Sequence, residues 1–224
     1  RLQERLSREF ADGRDVRLLP GNGCPGPVTL DVGRLRLIML DTQWWLHDYI
    51  VRDERSECAN TTMGEVTESL RRQVWPDHED GVVVVAAHHP LMTGGRHGGY
   101  CGITAPFQRF AGRSQDIVSS ANRTMRDSIE SAMGDRPPLI FAAGHEHNQQ
   151  VLRGGRNVHY QLVTGAGTKT ACAVKIRESY YVSQHRAGFM RIEILRDGRV
   201  FLRVFRYTGD GDGGRSYSRW LEPR

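Results

Sequence analysis

A layered α/β domain is the fold class this sequence predicts, and three observations predict it. Two uncharged runs, "VVVVAA" and "PPLIFAAG", read as buried strands. Stretches with apolar residues at helical spacing precede each of them. The last third alternates apolar with polar residues, as antiparallel hairpins do. The length of 224 residues, 38% hydrophobic and 25% charged, suits one domain with a core large enough to fold without staples. No run of about 18 apolar residues occurs, so the chain holds no transmembrane segment of the helical kind. The net charge of +5 comes from scattered arginines and reads as a solvated surface.

Taken in order, "VRLLP" and "VTLDV" read as short strands flanking the turn-rich "GNGCPGP", and "LRLIMLD" as a buried strand ending at Asp41. From Thr62 to Val74, the spacing of Val66, Leu70 and Val74 predicts a helix, with Pro76 as its stop signal. "GVVVVAAHHP" is a strand ended by His88, His89 and Pro90. The glycine-rich "LMTGGRHGGYCGITAPFQRFAGR" that follows cannot be a regular element. Ser114 to Met133 reads as a helix with Ile117, Met125, Ile129 and Met133 on one stripe. "NVHYQLV", "SYYVSQ", "FMRIEIL" and "RVFLRVFRY" read as hairpin strands, with Asp197-Gly198 as a tight turn. Residues 207–224 are Gly-rich and read as a loose tail that Trp220 could dock.

Cys24, Cys58, Cys101 and Cys172 lie far apart with no C-x-x-C pair, which argues against a structural zinc knuckle. They read as buried free thiols. A Cys24–Cys58 bridge stays open for an exported protein.

The two uncharged strands share one peculiarity: each empties directly into histidine. If they are neighbours in one sheet, their ends lie about 5–10 Å apart, given strand spacing of about 4.8 Å. Side chains i and i+2 of an extended chain point the same way, so His145 and His147 can converge. His88, His145 and His147 then surround one point, and neutral imidazole is a common ligand for zinc, iron and manganese. On the same alternation His89 faces away from His88, and Glu146 is a surface or supporting residue.

These residues carry a resemblance. His88 in "HHP" and "GHEH" at 144–147 resemble the last two motifs of the calcineurin-like metallophosphoesterases. "NGCPGP", "LDTQWWL", "HHPLMTGGRHGGY", "GRSQDI" and "AGHEHNQQ" with "VTGAGTK" are similar in order and spacing to a bacterial branch of that superfamily, over Arg1 to Lys169. The resemblance implies a β-sandwich flanked by helices, here without its N-terminal part: residues 1–206 as the C-terminal portion of the domain, 207–224 as the tail. The superfamily's Asp-x-His, Gly-Asp-x-x-Asp and Gly-Asn-His motifs do not occur in this chain. Asn22 in "LLPGNG" is not the last of these, because Gly23 replaces the histidine. "RLQERLSREF" then reads as a helix just downstream of that motif. The start at Arg-Leu-Gln reads as a fragment or processed product, which leaves export or membrane association of the parent protein open.

For the intact protein the resemblance implies hydrolysis of a phosphomonoester or phosphodiester by two divalent or mixed-valence ions (zinc, manganese or iron) and a bridging hydroxide. His88 and His145 would hold one ion and His147 the other. His97 on the glycine-rich loop, His89, Arg113 and Lys169 are candidate contacts to the phosphate ester. Two further readings belong beside this one. One is a metal-dependent nuclease, against which stands the absence of a recognisable nucleic-acid module. The other is a non-catalytic binding module with a degenerate metal site.

Overall fold

The uncharged valine run is an interior strand of a seven-stranded sheet. In the computed structural model, which describes residues 17–46, 57–74, 81–102, 113–134, 136–209 and 214–223, the strands are β1 (Val28–Val32), β2 (Leu35–Met39), β3 (Val82–Ala87), β4 (Ile140–Ala143), β5 (Gln149–Arg153), β6 (Tyr160–Thr164) and β7 (Ser179–Ser183). Their order across the sheet is β1-β2-β3-β4-β6-β5-β7. The central pairings β2–β3, β3–β4 and β4–β6 are parallel, and the outer ones are antiparallel. A second sheet of β8 (Gly188–Ile194), β9 (Val200–Arg206) and β10 (Gly214–Leu221) is antiparallel throughout.

Alternation along the central strands sorts two apolar layers. Ile38, Val85, Phe141 and Ala143 point to the face covered by α1 (Gln43–Leu46), α2 (Met63–Val74) and α3 (Ser120–Met133). Val66, Leu70 and Val74 of α2, with Met125, Ile129 and Met133 of α3, fill that layer. Val82, Val84, Ile140 and Leu162 point to the other face, against Val200, Leu202, Val204 and Leu221 of the second sheet. The architecture is therefore mixed sheet with few helices. Each fully buried aliphatic or aromatic side chain contributes about 1.5–3 kcal/mol of transfer free energy to it.

Local chemistry sets the helix ends. Thr62 accepts from the Glu65 amide, and the Glu65 carboxylate accepts from the Thr62 amide in return, so α2 opens on a reciprocal cap. The expected helix from Ser114 starts six residues later, because Ser119 caps it by accepting from the Asn122 amide. Residues 114–119 instead form turns around Asp116.

Several expectations are corrected. The tail is not loose over 214–221: this stretch is β10, paired with β9 through a bulge at Arg215/Tyr217, and Leu221 is buried. Arg17–Pro20 of "VRLLP" are not strand, while Val16 and "RLQERLSREF" lie outside the described residues. The four cysteines are not thiols but form Cys24–Cys58 and Cys101–Cys172. Strand β5 was not expected at all. No helix among the described residues is long and apolar enough to cross a membrane.

Candidate metal centre

The parallel pairing of β3 and β4 brings Ala87 opposite Ala143, so the two strands deliver their following residues to one place. His145 Nδ1 stands 3.2 Å from His88 Nε2. Two nitrogens each about 2.0–2.1 Å from a tetrahedral ion stand about 3.3–3.4 Å apart, so this pair matches one edge of a coordination tetrahedron. His89 joins them: one ligand atom from each of His88, His89 and His145 lies within 4.8 Å of the others.

Side-chain alternation ends with the strands, and the backbone shows why. His145 has φ 60°, the left-handed region that costs a non-glycine residue about 1–3 kcal/mol and recurs at functional sites. Residues 145–148 are bent rather than extended. His147 is consequently exposed and outside the close group, whereas Glu146 is buried at 1% exposure. Residues 88 and 89 also lie in a bend, so His89 does not turn away from His88. Its ring is buried, with Nδ1 2.9 Å from Thr42 Oγ1, and that hydroxyl accepts from its main-chain amide.

Buried polar side chains shape the glycine-rich loop. Gln161 accepts from the amides of Leu91 and Met92, and Gln150 from that of Gly94. The Glu146 carboxylate accepts from Thr93 Oγ1 at 3.1 Å and from the His97 amide at 3.0 Å. A short 3-10 turn, Arg96–Gly98, then lays the His97 ring against His145, with centroids 4.0 Å apart. Asp116, buried and given no role of its own within "GRSQDI", holds His97 Nδ1 at 2.7 Å. Its place inside a stretch that reads as helix concealed it. Arg113 is exposed, but its amide donates to the other oxygen of Asp116. Lys169 is exposed two residues before Ala171, whose amide donates to the His147 carbonyl.

Burial favours the neutral form of the His145 and His88 imidazoles. Burial, then the neighbouring His97 and His88, push His145 down to about 3, against a smaller opposing effect of the Gln115 main chain. Burial lowers His88 as well, with Asp41 pulling the other way. Burial raises Glu146 above the usual carboxylate range. Neutral imidazoles offer lone pairs. The sign of the linkage follows: the unfolded state takes up a proton near pH 6.5 that folded His145 refuses, so stability of the metal-free chain is lost as pH falls from about 6.5. For a half-buried ring a loss of roughly 1–2 kcal/mol is expected by pH 4. Urea midpoints between pH 7 and 4 measure it, and His145→Gln should flatten that slope.

No protein-family model and no curated protein matches this chain. Among solved structures it is similar to purple acid phosphatase PPD1 from yellow lupin (Lupinus luteus) seeds, with TM-score 0.56 and 14% identity over 85% of this chain and 32% of that one. It is also similar to GAP50, the anchor in the inner membrane complex of Plasmodium, with TM-score 0.53 and 15% identity over 88% of this chain. The chain spans only 53% of GAP50. The fold is thus similar to that of a purple acid phosphatase, and the histidine group is compatible with a divalent metal.

Proposed function

We propose that this chain is the C-terminal portion of a metal-dependent phosphoesterase of the calcineurin-like superfamily, acting on a phosphomonoester or phosphodiester. The observation that carries the reading is the 3.2 Å approach of His88 Nε2 to His145 Nδ1 at the ends of two parallel strands. Neutral nitrogen donors suit zinc, iron or manganese. No carboxylate oxygen belongs to the close group among the described residues, so what is present fits one ion better than two. In the intact protein the ligand set comprises His88, His145 and His147 with residues this chain lacks. A bound divalent ion supplies charge stabilisation to a phosphoryl group. The chain's own residues do the positioning: Thr42 clamps His89, Glu146 fixes the loop, and that loop presents His97. Arg113 and Lys169 are exposed cations available to phosphate oxygens.

The test is zinc or manganese titration of the chain by calorimetry, with elemental analysis and p-nitrophenyl phosphate hydrolysis. Weak binding of metal, lost in His88→Ala and His145→Ala, with little or no turnover, is the expected result. Tight stoichiometric binding of two ions would contradict the incomplete ligand set, and binding unaffected by either substitution would remove the metal centre.

A second reading is a non-catalytic module, favoured by the likeness to a protein described as an anchor. Metal-independent stability and retention of the fold in a His88→Ala/His145→Ala double variant, with no metal bound by the parent chain, would support it.

A further inference from the structure

The group that the reading above does not use is Asp116. It is 2% exposed, lies outside the histidine group, and spends its two oxygens on different partners. Oδ1 is 2.7 Å from His97 Nδ1, and Oδ2 accepts from the Arg113 amide at 2.8 Å. Its backbone is held too, with its amide donating to Arg113 O and its carbonyl accepting from Ser119 N. His97 is fixed from three sides: its amide on Glu146, its carbonyl on the Ile117 amide, its ring on Asp116.

From this arrangement we infer that Asp116 is a positioning residue that sets the tautomer of His97. A carboxylate only accepts, so the neutral ring must carry its proton on Nδ1, and the lone pair falls on Nε2, at the other side of the ring. Nε2 is then the atom left to accept a proton from, or deliver one to, a group bound beside His145. The role in phosphate-ester chemistry rests on the proposed function; the tautomer assignment does not.

Asp116→Asn separates orientation from proton placement. The side chain is nearly isosteric, and the Arg113 amide still requires an acceptor. The asparagine oxygen must therefore face Arg113, which turns its NH2 toward His97 Nδ1. Nδ1 becomes the acceptor and the proton moves to Nε2, with the ring held in place. The logic parallels other Asp–His pairs, in which the asparagine variant keeps geometry and loses rate by the wrong tautomer.

The measurement is long-range proton–nitrogen NMR of the histidine rings in the metal-free chain at about pH 8, where an ordinary imidazole is neutral. Wild type should show His97 protonated at Nδ1, and Asp116→Asn should show it at Nε2, with amide signals outside 95–98 and 113–119 unchanged. Asp116→Ala should leave the two tautomers mixed. A wild-type ring protonated at Nε2, or one unchanged in Asp116→Asn, overturns the inference. In a metal-loaded form that turns over aryl phosphate, Asp116→Asn should lower kcat by about 10²–10⁴-fold with little change in KM. An unchanged kcat there overturns the role. If a protein carrying the full ligand set also fails to turn over with metal bound, the phosphoesterase reading fails while the tautomer result stands on its own.

Discussion

Removing the Cys101–Cys172 bridge should cost the chain about 4 kcal/mol and disorder the loop that carries His97. The two cysteines are 71 residues apart, and the bridge ties the glycine-rich loop, just after His97, to the segment beside His147. Loop-closure entropy for a ring of that size corresponds to about 4.4 kcal/mol, an upper figure because unfolded chains retain structure. Among the described residues the junction is also held by an isolated bridge between Gly95 and Ala173, the Val174 amide on Gly94 O, and the Ala171 amide on the His147 carbonyl. For a domain of this size the melting temperature should fall by about 8–16 °C in a Cys101→Ser/Cys172→Ser variant. Hydrogen exchange should rise at 94–102 and 171–174 while β3 and β4 stay protected. Equal loss of protection across both regions would show that the bridge supports the whole sheet, not the loop. The Cys24–Cys58 bridge closes 34 residues and is seconded by Asn60 Nδ2 donating to Gly26 O. Its loss should cost somewhat less.

The contrast between what could be read from residue order and what could not follows physical lines. Uncharged apolar runs ending in histidine announced β3 and β4, and parallel pairing did the rest, so the approach of His88 to His145 was legible. Alternation holds only while a chain is extended, and nothing local in "GHEH" announces the left-handed turn at His145. That single dihedral moves Glu146 inward and His147 outward. Strand β5 was missed because Gln149 and Gln150 look like surface residues. They are fully buried, and Gln150 and Gln161 supply the acceptors that an irregular glycine-rich backbone needs once it is shut away from water. Nothing in "VTGAGTK" shows why Gly165 is needed: a Cβ there would stand 2.3 Å from the Glu146 carbonyl oxygen.

The same crowding predicts that Gly95→Ala should be among the most damaging single substitutions in the loop. Gly95 has φ −89° and ψ −167°, extended values open to any residue, so its demand is for space and not for backbone freedom. A Cβ would meet all three carboxylate atoms of Glu146 at 2.4–2.5 Å. Glutamate ends are usually mobile, but this one is 1% exposed and bonded to Thr93 Oγ1 and the His97 amide. Either the carboxylate leaves those partners in a buried setting, or the loop lifts and takes His97 with it. Overpacking of about 1–3 kcal/mol and loss of two buried hydrogen bonds of about 1 kcal/mol each place the total near 3–5 kcal/mol. Because the clash and the lost bonds involve one partner, the effect should not add to removal of that partner. Glu146→Ala alone leaves the His97 amide unsatisfied, yet it opens room for the methyl group. In a double-mutant cycle read by urea midpoints, Gly95→Ala should cost less than half as much on the Glu146→Ala background as on wild type. An equal cost on both backgrounds would mean that the glycine answers to Ala173 across the isolated bridge, and that Glu146 does not set the position of the loop.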